Sequence, residues 1–229
     1  MYELHIGNRN YSSWSLRAWV LMRALGIPFI ERQHQFAGTV NYQRFRRFSP
    51  TGLVPCLIDG AVTVWESLAI AEYVAERHAG VWPAATDARA WARSAAAEIH
   101  GGFAMLRNHC GMNCGVRARL HAAPPALQRD FARIDELWCE GLRRWGGPYL
   151  AGAGFGAVDA FYAPVAFRVQ TYAIPLSAQA RAYADHLLQE PAMRSWYADA
   201  LQEPWRDDDH ETELRQYATI VEDLRCASG

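Results

Sequence analysis

The chain has no lysine: all 23 of its basic residues are arginine, set against 24 acidic residues for a formal net charge of -1. That balance gives no bulk attraction for nucleic acid or for an anionic membrane surface, so neither is expected as a partner. The local cluster Arg44, Arg46 and Arg47 lacks the basic and aromatic spacing of a nucleic-acid surface. It reads as a solvated face or as the border of an anionic ligand. No apolar run approaches the roughly 20 residues needed to cross a bilayer. The N-terminal segment reads as a strand rather than a secretory leader, and the expected location is the cytoplasm. Cysteine is sparse and scattered, with Cys56, Cys110, Cys114, Cys139 and Cys226 too few for a disulfide framework. His109, Cys110 and Cys114 lie close together, yet there is no C-x-x-C pair and no second ligand group at zinc spacing, so no metal is expected. Internal repeats and long linkers are also missing.

Hydrophobic residues make up 51% and charged residues 21% of the 229, a globular balance with enough chain for two small domains. Two halves with different patterning follow. Residues 1–80 alternate short strands with helices: a strand at 2–6, an Asn- and Gly-rich turn at 7–11, and a helix capped by Ser12 or Ser13 that ends near Gly26. A second strand fits 27–32, followed by a less regular stretch at 41–48. Residues 54–58 and 61–64 form an apolar hairpin turning at Asp59-Gly60. Ser67 then starts a helix. Residues 81–85, containing Trp82-Pro83, read as a linker. From Thr86, read as a cap, to residue 229 the patterning is helical, most clearly where Leu127, Phe131, Ile134, Trp138 and Trp145 recur every three or four positions. Further helices fit 158–172, 178–188 and 192–201, with a terminal amphipathic helix over 211–224.

Three segments carry candidate chemistry. Ser12 and Ser13 sit where a strand gives way to a helix, with unused backbone N–H groups and a helix field that favours negative charge. One hydroxyl can cap while the other faces an anion such as a thiolate. A nucleophilic serine would require a base and usually an orienting acid, and neither residue lies in a G-x-S-x-G elbow. Pro55 follows Val54 inside a strand-like run; it is either an ordinary strand-start proline or a cis bend that turns the Val54 backbone towards a peptide ligand. Glu66 and Ser67 lie at a strand-to-helix junction. Ser67 reads as an N-cap or a donor to a carboxylate, and Glu66 as a partner for a ligand ammonium or a turn-holding residue.

In order and separation these segments resemble the glutathione transferase family, a resemblance that covers nearly the whole chain. The local match is Tyr11-Ser12-Ser13-Trp14-Ser15-Leu16-Arg17, similar to the serine-containing signature of zeta-like members. Ser49-Pro50-Thr51-Gly52-Leu53-Val54-Pro55-Cys56-Leu57 and Glu66-Ser67-Leu68-Ala69-Ile70 support it. The resemblance implies a thioredoxin-like α/β N-terminal domain followed by an all-α C-terminal domain, glutathione as cofactor, and a homodimer. It assigns Ser12 to the thiolate, with Ser13 as the close alternative. Val54 and the cis Pro55 would grip the cysteinyl part of glutathione, and Glu66 and Ser67 its γ-glutamyl end. Arg17 would organise or polarise the site, with a structural salt bridge as its competing role. Trp14 stands where the zeta signature has cysteine, and Leu53 where many relatives carry a polar or basic contact. Gly156-Ala157-Val158-Asp159 resembles the family's helix-capping box with Gly156 in place of Ser or Thr, which makes Asp159 structural.

The implied activity is thiolate attack on small hydrophobic electrophiles bound between the domains, with Phe103, Met105, Leu106 and Met112 as candidate pocket residues or ordinary core. The alternatives are glutathione-dependent cis-trans isomerisation of a maleylacetoacetate-like diacid, and a glutathione-binding protein with little turnover.

Overall fold

The computed structural model describes residues 1–226. Strand β1 (Tyr2–Ile6) is central to a four-stranded sheet and buries Leu4 and Ile6 completely. It runs parallel to β2 (Phe29–Gln33) and antiparallel to β3 (Cys56–Asp59), which pairs with β4 (Val62–Trp65) in the order β2-β1-β3-β4. Parallel pairing requires a crossover, and helix α1 (Ser13–Ala24) supplies it. The chain leaves that helix through Gly26 in the left-handed region, φ +65°. Asp59 pairs with Val62, so the hairpin loop is Gly60-Ala61, one residue later than Asp59-Gly60. The irregular stretch between β2 and β3 contains a single 3-10 turn, Gly38–Val40, followed by helix α2 (Asn41–Phe45).

Helix α3 (Ser67–Ala75) starts one position earlier than a Ser67 cap would require: Ser67 is its first helical residue and Glu66, at φ 69°, is the cap. Thr86 likewise opens α4 (Thr86–Gly101), and Ala85 precedes it as cap. The rest of the chain is largely helical, with α5 (Ala104–His109), α6 (Pro125–Trp145), α7 (Ala157–Tyr172), α8 (Ala178–Gln189), α9 (Pro191–Gln202) and α10 (Asp208–Tyr217). Its exception is an antiparallel ribbon of β5 (Val116–Leu120) with β6 (Ala218–Asp223). The helix expected over 211–224 therefore stops at Tyr217. Thr219, Ile220 and Val221 are β-branched in succession, and β5 offers them a partner edge.

Helix α7 organises the second half. Every residue of it except Gln170 is buried, and it packs against α1, α4 and α8. A helix apolar on all sides belongs inside a core, so the single charged residue in its second half, Arg168, stands out. Asp159 ties down the start of α7. Its carboxylate accepts from Leu150 N–H at 2.9 Å, Gly156 N–H at 3.0 Å and the Tyr183 hydroxyl at 2.9 Å.

Candidate active site

The start of α1 opens onto a cleft of about 510 Å³. Ser12 caps the helix: its Oγ accepts from Ser15 N–H at 3.4 Å and donates to Ser15 Oγ at 2.8 Å, while Ser15 Oγ also accepts from Gly7 N–H at 3.0 Å. Ser13, the first helical residue, has no hydroxyl partner among the described residues, and both serines line the cleft. Tyr11 lines it too, but its hydroxyl donates to Glu211 at 2.8 Å. Burial and the Glu211 charge push the Tyr11 pKa up, so this phenol keeps its proton and is already engaged. The opposite wall is aromatic, built by Phe36, Tyr42 and Phe45 with His210 beside them.

A second lobe of about 380 Å³ shares Trp14, Leu53 and Val54 with the first and is completed by Thr51, Pro55, Glu66 and His100. The Val54-Pro55 peptide is cis, and Val54 precedes the paired register of β3. Ser67 is buried at 1% exposure with its Oγ unpartnered, an orphan polar atom at a helix N-terminus. A buried hydroxyl without a partner is uncommon and fits an anionic ligand group. The structure thus brings Ser12, Ser13, Val54, Pro55 and Glu66 around two joined lobes, with Ser67 adjoining Glu66.

Arg17 lies behind this surface. Its guanidinium carbon sits 4.2 Å from the centre of the Trp14 ring and 5.2 Å from that of Phe161. Nη2 donates to Ile99 O at 3.4 Å, whereas Nε and Nη1 are buried without partners. Among the described residues no carboxylate pairs with it, so the salt-bridge role is not the one it plays. Burial, with Arg168 and Arg107 nearby, lowers its pKa to about 9.

Three further residues complete the site, and no sequence motif marks them. His100 of α4 places Nε2 3.8 Å from the Glu66 carboxylate, and burial together with Arg17 lowers its pKa. Arg107 of α5 and Arg168 of α7 line the main cleft. Arg168 did leave one signal: a charge within an otherwise apolar helical run. The candidate pocket residues Phe103, Leu106 and Met112 belong instead to the buried core, and Met105 packs against it. Cys110 is buried, and burial raises its thiol to about 12. Among the described residues no group of three or more His, Cys, Asp or Glu side chains is placed to hold a metal, and no helix is long and apolar enough to cross a membrane.

Residues 11–77 match the family model for the glutathione S-transferase N-terminal domain. A dichloromethane dehalogenase from Methylorubrum extorquens is 45% identical over 65 residues, covering 27% of this chain and 23% of that protein. The chain therefore aligns with about a quarter of that curated relative. Glutathione S-transferase 1 of Dianthus caryophyllus is 26% identical over 163 residues, covering 66% of this chain and 72% of the relative. Among solved structures, a glutathione transferase homolog from Burkholderia GL BGR1 with bound glutathione superposes with a TM-score of 0.65 at 22% identity, covering 87% of this chain and 97% of the other. The described residues thus share the two-part arrangement of that solved structure, an α/β first half followed by a largely helical second half, over 87% of the chain.

Proposed function

We propose that this chain is a glutathione transferase that holds the cofactor's sulfur as a thiolate at the start of α1 and presents it to small hydrophobic electrophiles in the aromatic cleft. One observation carries this reading: the hydroxyls of Ser12 and Ser13, the Val54 backbone and Glu66 line two joined lobes, with buried Ser67 adjoining Glu66, in a segment that matches the glutathione S-transferase N-terminal domain. The relatives named as transferases and the homolog with bound glutathione support it.

Glutathione, when bound, would supply a sulfur nucleophile, its proton passed to solvent, able to form a C–S bond with an electrophile whose leaving group would depart with its electron pair. The residues do the rest. Ser12 donates to the sulfur. Hydroxyl rotors are free to turn, so Ser15 can reverse its bond with Ser12 and donate to Ser12 Oγ while still accepting from Gly7 N–H. This chain of donors, together with the helix field, favours the charged sulfur. Ser13, with its free hydroxyl, is the second candidate for the same contact. Val54 offers its backbone to the cysteinyl unit beside Pro55. Ser67 Oγ, unpartnered in its buried position, donates to the γ-glutamyl carboxylate, and Glu66 faces the ammonium. Burial and Arg17 favour neutral His100, which then does not compete for Glu66. Arg17 positions Trp14 by stacking on it and adds positive potential behind the sulfur site. A glutathione-binding division at 1–80, a linker at 81–85 and an acceptor-side domain at 86–229 belong to this reading, as do a homodimer and a cytoplasmic location.

Calorimetric titration with glutathione, followed by assay of glutathione consumption against an electrophile panel, tests the reading. Wild type should bind, and Ser67→Ala should bind roughly tenfold more weakly, the worth of one hydrogen bond to a charged group. No heat at saturating glutathione contradicts it. Glutathione bound but returned unconsumed points to isomerisation or to a binding protein.

A further inference from the structure

Two arginines from separate elements, Arg17 of α1 and Arg107 of α5, stack on Trp14, and a third, Arg168 of α7, lines the same cleft as Trp14 and Arg107. The guanidinium carbons of Arg17 and Arg107 lie 4.2 Å and 5.6 Å from the Trp14 ring centre. Arg168 is 4% exposed, yet it lines the cleft together with Arg107. Among the described residues none of the three has a carboxylate oxygen within 4.0 Å. Their hydrogen bonds go to main-chain carbonyls instead: Arg17 and Arg107 to Ile99 O, Arg107 also to His100 O, and Arg168 Nε to Cys110 O at 2.7 Å. Asp130 and Glu66 act on these arginines only from beyond 4.0 Å. Asp130 accepts from Leu106 N–H at 2.9 Å, and Glu66 faces His100. Buried charges are ordinarily paired, because desolvation is otherwise uncompensated. Here two arginines line an aromatic cleft with no carboxylate close enough for an ion pair.

We propose that Arg107 and Arg168 form an anion subsite, so that the acceptor of this transferase is a flat apolar electrophile carrying a carboxylate. The inference rests on the reading of the cleft as the acceptor side. Two unpartnered nitrogens on each side chain, Nη1 and Nη2 of Arg168 and Nε and Nη2 of Arg107, offer the planar donor forks that match a carboxylate. A single sulfur atom does not use two forks, and the thiolate already has the hydroxyls of Ser12 and Ser13. The aromatic wall of Phe36, Tyr42 and Phe45 takes the body of the ligand. Arg17, behind Trp14, deepens the positive potential.

The test is calorimetry with 3,5-dinitrobenzoate and its neutral counterpart 1,3-dinitrobenzene, with and without saturating glutathione. Wild type should bind the benzoate about tenfold or more tightly than the neutral ring, the worth of charge-assisted hydrogen bonds. Arg168→Gln and Arg107→Gln should each move that ratio towards one, and Arg168→Lys should retain part of it. Arg107 is only partly buried, so its variant keeps the test informative even if Arg168→Gln fails to fold. Equal affinity for the two probes in wild type, a ratio unchanged in Arg107→Gln, or competitive displacement of the benzoate by glutathione overturns the proposal. Selective benzoate binding by a chain that gives no heat with glutathione contradicts the transferase reading and leaves the anion subsite standing.

Discussion

A serine at a helix start is ordinarily a cap, and Ser12 is one, yet its hydroxyl is also a wall of the cleft. Local spacing was enough to place both serines at that junction. It could not show that Ser12 is bonded to Ser15 while Ser13 is free, because that depends on the turn at Gly7 folding back onto the helix. The same limit applies to His100, Arg107 and Arg168, which stand alone in helical stretches and acquire meaning only when α4, α5 and α7 meet α1. Asp159 was legible from its short motif, and its environment raises the expected cost of removing it. It is 1% exposed and satisfies three donors. Asp159→Ala leaves all three unpaired, and denaturant unfolding should show a loss of about 3 kcal/mol or more. Unchanged stability contradicts the structural role. Burial, working against those hydrogen bonds, lifts its pKa from 3.8 to about 6. A carboxyl whose folded pKa is raised contributes most below its unfolded value and loses that contribution as pH rises through the folded one. The stability advantage of wild type over Asp159→Asn should therefore shrink as pH climbs from 3.8 to about 6. An advantage that stays flat over that window argues against a raised pKa.

Among elements, the strands of the first half and the long helices α6 and α7 were readable from periodicity, since each buries one repeating face or all of them. The terminal segment was not. Its acidic start suits a helix, and α10 is one, but the β-branched run from Thr219 takes its conformation from β5, some hundred residues earlier in the chain. Beyond β6, Arg225 folds back to pair with Glu211 and Asp223, and Glu211 also accepts from Tyr11 at the site. The Arg225 and Glu211 side chains are only 2% and 6% exposed. Burial raises the Glu211 pKa, but Arg225 and Tyr11 outweigh it, and the net direction is down. Arg225→Gln leaves this carboxylate without its main partner and should cost about 3 kcal/mol by thermal or chemical unfolding. A loss no larger than that of an exposed Arg93→Gln control contradicts the role given to this strap.

At the sheet, His5 Nδ1 lies 2.9 Å from His34 Nε2, joining the β1 and β2 side to the segment that follows β2. Burial and His34 push the His5 pKa down from 6.5 to about 4. A base whose folded pKa is depressed stabilises the fold above its unfolded value, and that stability is lost as pH falls through the folded one. Melting temperature should therefore drop between pH 6.5 and 4, less steeply in His5→Phe. Parallel profiles for the two proteins contradict this assignment.

For the molecule as a whole, one continuous core runs from the sheet through α1 into α7, and the cleft lies where the two halves meet. Each half adds to the site: the first brings hydroxyls, Arg17, the cis-proline loop and the α3 start, and the second brings Arg107, Arg168 and His100. The central claim is that this junction keeps a sulfur charged at neutral pH. Ultraviolet absorbance of bound glutathione, followed against pH in wild type, Ser12→Ala and Ser13→Ala, measures that directly. Wild type should ionise well below the ordinary thiol value of about 8.5, and Ser12→Ala should move the midpoint back up by roughly one unit. A wild-type midpoint equal to that of free glutathione contradicts the account, and a shift confined to Ser13→Ala transfers the role to that residue.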